Sequence, residues 1–334
     1  MINAGIDLQM FDGYIGFSVD YYNTNTSNML LYVPVPLLTG YSTSLQNLGK
    51  VNNRGWELAL TSQHTFANGF GYSFNANYAK NTNEVKELGP GNAPIISSGS
   101  VAHAYYITEV GKPIGNYYLL VQDGIFATEE DLKKYPHFDN TEVGDFRFVD
   151  VDGDGKLDLD KDRTICGNYM PKFTYGFGGK LWYAGFDMDF NFQGVYGNKI
   201  LNLNKRYLDN MEGNTNGTKI ALDRWKSPEN PGSGSVNKAN RKPSRTSTWH
   251  LESGSYLRLQ NLSLGYTLPR ALTQKFKVEK MRVYVSGQNL FTITNYSGYN
   301  PEVNARPSKN LTPGEDYGTY PLARTYMFGL NLTL

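Results

Sequence analysis

Residues 323–334, ARTYMFGLNLTL, set Tyr326, Phe328, Leu330, Leu332 and Leu334 on one parity, and Thr325, Met327, Gly329, Asn331 and Thr333 on the other. A β-strand sends alternate side chains to opposite faces, so this segment has one continuously apolar face and one mostly polar face. The pattern recurs. In 186–193 Phe186, Met188, Phe190 and Phe192 alternate with Asp187, Asp189, Asn191 and Gln193. In 70–78 Phe70, Tyr72, Phe74, Ala76 and Tyr78 alternate with Gly71, Ser73, Asn75 and Asn77. Two carboxylates and two amides on one strand face make a costly dry core, because unpaired charge resists burial. A water-filled lumen suits them, and lipid suits the other face. Repeated along the chain, the pattern predicts an all-β fold: an antiparallel transmembrane β-barrel with polar residues inside and apolar residues outside.

Strands are expected near 4–11, 14–23, 56–66, 69–80, 172–183, 185–196, 256–268, 280–289 and 323–334, with one or two more within 100–123, about 9–11 in all. Asp12-Gly13, Ala67-Asn68-Gly69 and Ala184-Gly185 read as tight turns. The connections 24–55, 81–171, 197–255 and 290–322 are long. Short turns at one end and long loops at the other is the layout of outer-membrane barrels. A shift of apolar parity between Leu259 and Leu262 predicts a bulge near Gln260. Thr128 should cap a short helix over 127–135, with acidic residues in its first turn and lysines later. A second short helix is expected over 218–226, and a polar turn with a helical stretch over 269–280. The Ser-, Pro- and Gly-rich segment 227–247 reads as a flexible excursion.

Bulk properties narrow the function. With 32 basic and 31 acidic residues the net charge is +1, which gives no electrostatic case for nucleic acid. No apolar run approaches the length of a membrane helix, whereas barrel strands escape average hydropathy because half their residues are polar. The lone cysteine, Cys166, excludes an intramolecular disulfide. His64, His103, His137 and His250 are scattered without ligand spacing, and no catalytic constellation is found, so an enzyme is not expected. The opening MINAGIDLQMF has neither a charged n-region nor an apolar h-region, so the chain reads as part of something longer.

One motif carries site chemistry. Residues 150–163, DVDGDGKLDLDKDR, place Asp150, Asp152 and Asp154 at positions 1, 3 and 5 of a calcium loop. Gly155 falls at the sharp turn, the Lys156 carbonyl at position 7 and Asp158 at position 9. Position 12 is Lys161 instead of glutamate, and Asp160 or Asp162 could close the site. A Ca²⁺ ion here would stiffen the loop at 150–162; it would not switch or catalyse.

Longer stretches carry a resemblance. SVDYYNTNTSNMLLYVPVP (18–36), LQNLGKVNNRGWELAL (45–60), GDFRFVDVDGDGKLDLDKDRTICGN (144–168), PKFTYGFGGKLWYAGFDMDFNFQGVYGNKI (171–200), SYLRLQNLSLGYTLP (255–269) and RVYVSGQNLFTITNYSGYNPEV (282–303) occur in the order found in SusC/RagA-type TonB-dependent outer-membrane transporters of Bacteroidetes-type bacteria. The resemblance covers essentially the whole chain and places 1–334 in the C-terminal part of such a barrel, without signal peptide or plug. It implies the outer membrane and its lipid as surroundings. It implies a SusD-like surface lipoprotein over the loops and drive from the TonB complex through the missing N-terminal part. The cargo would be a glycan or a peptide. The acidic loop matches the family's calcium-type loop at Asp150, Asp152, Asp154 and Asp158, with Asp162 one residue beyond the expected final acid. A passive outer-membrane channel and a soluble calcium-dependent glycan-binding β-sandwich are the alternatives.

Overall fold

The computed structural model describes residues 1–34, 37–41, 43–239 and 244–334. Nine strands form one antiparallel sheet in which every neighbour in space is the next strand of the wall. They are β1 Ile2–Met10, β2 Ile15–Pro34, β3 Thr43–Thr65, β4 Gly71–Glu87, β5 Phe173–Tyr183, β6 Phe186–Tyr196, β7 Tyr256–Thr267, β8 Lys280–Thr294 and β9 Thr325–Thr333. β1 and β9 are the two edges. This meander follows from the turns. Ala184 and Gly185 both have positive φ (48° and 84°), the primed geometry whose twist matches the flanking strands, so a two-residue turn joins β5 to β6.

Register carries the sequence alternation across the whole sheet. Residues directly opposite in an antiparallel pair share a face. Following the pairs Ile6↔Val19↔Leu58↔Tyr78↔Tyr175 from β1 to β5 never leaves the apolar face. Neither does Leu181↔Met188↔Leu264↔Val285↔Phe328 from β5 to β9. The other face carries Asp7, Ser18, Ala59, Asn77 and Gly176 in one such row, and Lys180, Asp189, Ser263, Ser286 and Met327 in another. The expected bulge is present: between Asn261 and Leu259 the register of β7 slips against both neighbours, leaving Gln260 unmatched and keeping Leu259 and Leu262 on the same face. Without the bulge the upper half of β7 would turn its leucines inward.

β5 and β6 are 11 residues each, the length a tilted strand needs to cross a bilayer. Aromatic rings mark both ends. On the turn side Tyr14, His64, Phe66, Phe70 and Tyr183 form a chain of ring contacts, and Phe186 meets Tyr266 at 4.5 Å. On the loop side Tyr21 meets Trp56 at 4.8 Å, and Phe173 meets Tyr78 at 5.2 Å and Tyr196 at 4.9 Å. Phe173 and Tyr183 end the same strand. At about 3.3 Å per residue and a tilt of about 40°, the rise between them is about 25 Å, the height of an outer-membrane apolar band.

The connection 24–55 is not the loop expected from sequence. β2 and β3 run on as a paired hairpin well past the apolar band. Polar ladders replace apolar contacts there: Asn52 Nδ2 donates to Asn23 Oδ1 (2.6 Å) and Asn25 Oδ1 (2.8 Å), and Asn83 Nδ2 donates to Asn53 Oδ1 (2.9 Å). Such side-chain pairs hold a strand pair in water, where neither alternation nor lipid supports it.

The long connections form a cap with its own core. The strands foreseen within 100–123 exist as Tyr105–Thr108 and Asn116–Leu120, but they lie outside the wall. With Ile95–Ser98 and Arg163–Asn168 they make a separate four-stranded sheet. Lys199–Asn202 pairs with Leu251–Ser253 and, in parallel, with Glu315–Asp316. Leu201 and Leu203 are fully buried against Ala104, Tyr106, Tyr117 and Leu119, which joins the second connection to the first. Thr128 caps Glu129–Lys134 in a reciprocal capping box with Asp131, and 3₁₀ and α turns occupy Lys219–Asp223 and Arg270–Thr273, as expected. The segment 227–247 departs from the flexible excursion expected. Val236, Asn237, Thr246 and Ser247 are buried, and Trp225 N–H donates to the Val236 carbonyl (3.1 Å). Of that segment, 240–243 lie outside the described residues.

Candidate functional site

Three surfaces carry chemistry: the polar face of the wall, a hollow in the cap, and the acidic loop. Gln63, Asn75, Lys180, Asp189 and Asn191 line a hollow of about 700 Å³ on the polar face. Asp187 is already engaged there. Arg282 Nε and Nη2 donate to its two carboxylate oxygens at 2.9 and 2.6 Å. The arginine reaches across β7 at Gly265, where a Cβ would stand 2.3 Å from its guanidinium. Asp187 is thus held by Arg282, while Asp189 lines the hollow on the same polar face. Nearer the cap, Arg258 is 5% exposed; it pairs with Glu302 and donates to Asn300 Oδ1 (2.8 Å), tying the connection 295–324 to the wall.

A second hollow of about 400 Å³ lies within the cap, lined by Asn202, Asn204, Asp209, Tyr299 and Tyr320 among others. Tyr299 and Tyr320 are 83% and 89% exposed at its edge. Open aromatic faces beside amides and a carboxylate are suited to sugar rings and to peptide groups alike. Alternation gave no sign of this hollow, because its lining comes from three separate segments, 202–218, 297–299 and 318–321.

The acidic loop is closed by its own backbone. Gly153 and Gly155 N–H donate to Asp150 Oδ1 (2.7 Å) and Oδ2 (2.9 Å). Val151 and Asp158 N–H donate to Asp162 Oδ1 (2.8 Å) and Oδ2 (2.6 Å). Asp162 is fully buried. Of the six sequence-predicted ligands, the fold gathers Asp150, Asp152 and Asp162, with a carboxylate oxygen of each within 4.8 Å of the others. Asp154 turns away to Lys161, whose Nζ lies 3.1 Å from its Oδ2 and holds its carboxyl below the usual range, helped by the Lys156 N–H. Asp158 Oδ1 accepts from the Asp160 N–H (2.6 Å). Lys156 donates its own N–H to Asp154 Oδ1 (2.9 Å).

Other single residues have structural roles. Burial pushes the Cys166 thiol up to about 11, leaving it protonated at neutral pH and a poor nucleophile. His250 is fully buried and accepts from Ser247 N–H at Nδ1 (3.2 Å); burial, aided by Lys205 and Arg206, drives it down to about 3, so it stays neutral. Among the described residues no helix is long and apolar enough to cross a membrane, which says nothing of strands.

A single antiparallel wall, apolar on one side and polar on the other between two aromatic belts, defines a membrane β-barrel wall. The chain belongs to the TonB-dependent receptor-like β-barrel family, whose family model matches residues 2–290. It is 34% identical to TonB-dependent receptor P3 of Formosa agariphila, over 99% of this chain and 33% of that protein. It is 26% identical to TonB-dependent receptor SusC of Bacteroides thetaiotaomicron, over 99% of this chain and 31% of that protein. Among solved structures, the RagAB peptide transporter superposes with a TM-score of 0.79 at 25% identity, covering 99% of this chain and 34% of its own. The chain spans about a third of the length of the relatives it matches.

Proposed function

We propose that this chain is the C-terminal part of the β-barrel of a longer TonB-dependent importer of SusC/RagA type in the bacterial outer membrane. It would take up oligosaccharides or peptides beneath a SusD-like surface lipoprotein. The observation that carries this reading is the apolar face kept in register over nine strands. Among the described residues no second sheet packs on that face, which is where a soluble sandwich would place its core. The polar wall and the cap hollow offer the cargo amide, carboxylate and tyrosine contacts. Uptake of labelled oligosaccharide and oligopeptide pools by cells carrying the full-length gene tests the reading. Import is expected to vanish when tonB is deleted. Uptake that persists without TonB would favour the passive channel instead.

The acidic loop is proposed to hold one Ca²⁺ ion through Asp150, Asp152 and Asp162, with the Lys156 carbonyl as a further oxygen. Asp162 supports this: its buried charge has only two backbone donors, and a cation would offset the cost. A carboxylate that accepts two N–H groups still has lone pairs for a metal. The ion's role would be to stiffen the connection between Phe146–Phe148 and Arg163–Asn168. Asp152→Asn is expected to weaken calcium binding at least ~10-fold, since a charged ligand is lost. Limited proteolysis at 150–162 with calcium and with chelator checks this; equal cleavage in both would refute the ion.

A further inference from the structure

The wall is notched where β4 outruns β5. Pairing of the two strands ends at Ala79↔Thr174, yet β4 continues to Glu87. The chain enters β5 through 168–172, and a hollow of about 510 Å³ lies between, lined by Tyr78, Lys80, Thr82, Met170, Lys172 and Phe173 among others. Tyr78 and Phe173 close its membrane-ward end, with ring centroids 5.2 Å apart in the loop-side aromatic belt. Tyr78 belongs to the apolar face, so alternation sets Lys80 and Thr82 on that face too, opposite Trp56 and Arg54 of β3. At about 3.3 Å per residue and a tilt of about 40°, Lys80 stands about 5 Å beyond Tyr78, just outside the apolar band. β4 and β5 are interior strands of the wall, so the notch is not an edge awaiting barrel closure.

Both lysines of the notch are exposed, and neither forms an ion pair among the described residues. Lys172 is held in place by its backbone, whose N–H donates to the Tyr196 carbonyl (2.8 Å). Its stem passes over Gly197, where a Cβ would stand 2.6 Å from Lys172 Cγ. Gly197 also has a φ of 87°, so a side chain is disfavoured there on both counts. Arg54 is a diagonal neighbour of Lys80 on the same face and is exposed as well. The next acid along that face of β4 is Glu84, opposite Asn52. It accepts from Lys86 Nζ (2.6 Å) and lies in the field of Arg54. One carboxylate therefore stands against Arg54, Lys80 and Lys86 on this face, with Lys172 added inside the notch.

We infer that the notch between β4 and β5 binds a phosphate-bearing lipid of the outer leaflet, with its phosphate at Lys80 and Lys172 and its acyl chains along the apolar face below Tyr78 and Phe173. The inference rests on the reading of the wall as membrane-spanning with its loop side outward. A lipid matches both ends of the notch. Its phosphate offers acceptors and negative charge to ammonium groups, and charge-assisted bonds of this kind are about twice as strong as neutral ones. Aromatic rings sit at the headgroup level, and lysine stems cover apolar surface while their charged ends stay in the polar layer. Basic pockets at this depth between membrane-spanning segments suit anionic headgroups. A free anion would gain nothing from the aromatic end.

The test is native mass spectrometry of the full-length receptor, offered equal amounts of lipid A bearing its phosphates and of the same lipid dephosphorylated. Preferential retention of the phosphorylated form is expected. Lys80→Gln combined with Lys172→Gln should reduce it at least ~10-fold, since each lysine at an anionic headgroup contributes to binding. Lys275→Gln, an exposed lysine at the turn end of the wall, should leave it unchanged. Excess inorganic phosphate is expected not to displace the lipid; full displacement would assign a free anion and overturn the lipid site. Equal retention of the two lipids, or a double variant that retains as much as the wild type, also overturns it. Should the double variant fail to fold, hydrogen exchange of wild-type residues 80–84 and 168–172 decides. Slowing by phosphorylated over dephosphorylated lipid A supports the site, and no difference overturns it. A receptor that does not insert into phosphatidylcholine vesicles, read by heat-modifiable gel mobility, refutes the membrane wall and the site with it. One that inserts but shows no lipid preference refutes the site alone.

Discussion

Arginine at Phe190 is expected to destabilise the wall by about 2–4 kcal/mol, the cost of a cationic side chain facing the bilayer midplane. Phe190 is mid-strand on β6, opposite Gly179 of β5 and Leu262 of β7, with two strands between it and the nearer edge strand. Its side chain has no short path to either interface, so snorkelling gives little relief. Arginine at Ser263 makes the matching control. Ser263 is on the polar face directly opposite Asp189, where a cation gains a partner and stays wet. Urea unfolding of the full-length receptor in liposomes, read by heat-modifiable gel mobility, should separate the two. Equal destabilisation would mean that the apolar face is not the lipid face.

The second large effect is expected at the cap. Arg206 and Glu212 are 3% and 8% exposed and meet in a bidentate pair, with Ser244 N–H as a further donor to Glu212 (3.1 Å). Arg206→Met leaves the glutamate buried without its partner, which costs about 3–5 kcal/mol. Arg206 also holds Ala102 and Thr246, so the loss should open the contact between the connections 81–171 and 197–255. Faster hydrogen exchange at Tyr105–Thr108 and Lys199–Asn202, with the wall unaffected, is the expected signature. Arg206→Met with Glu212→Leu should recover most of it, since an apolar pair of similar volume replaces a buried ion pair at little cost. If the double variant is as open as the single one, the guanidinium bonds to Ala102 and Thr246 matter more than the ion pair.

These two experiments probe parts of the protein that differ in how far the sequence revealed them. The wall was legible because a lipid-facing strand must repeat one side-chain choice every second residue, and no neighbour can relieve it of that demand. Even the bulge at Gln260 showed as a break in parity. The hairpin over 24–55 was not legible, since its lower part sets Asn23, Thr24 and Asn25 opposite Arg54, Asn53 and Asn52, and above them Met29 to Val33 are apolar without alternation. The cap strands were hidden too. Most are 2–6 residues long, too short for a period, and Leu201 finds Glu315 across more than 100 residues of chain.

The acidic loop lies between these cases. The spacing Asp150, Asp152, Asp154 with Gly155 announced a turn crowded with carboxylates. Which of them converge is set by the fold: the Val151 and Asp158 amides hold Asp162 where it meets Asp150 and Asp152, and Lys161 lies 3.1 Å from Asp154 and 3.9 Å from Asp152.

Sequence by itself determined the nine-strand wall, its two faces and the bulge that keeps them in phase, because alternation against lipid and water is a local rule written residue by residue. Only the tertiary structure decided the cap: its core, its tyrosine-edged hollow and the Arg206–Glu212 pair with its bonds to Ala102 and Thr246. The core joins residues 104–119 to 201–203, and Arg206 reaches Ala102 across 104 residues of chain; such partners are chosen by packing in three dimensions, for which no period in the chain exists.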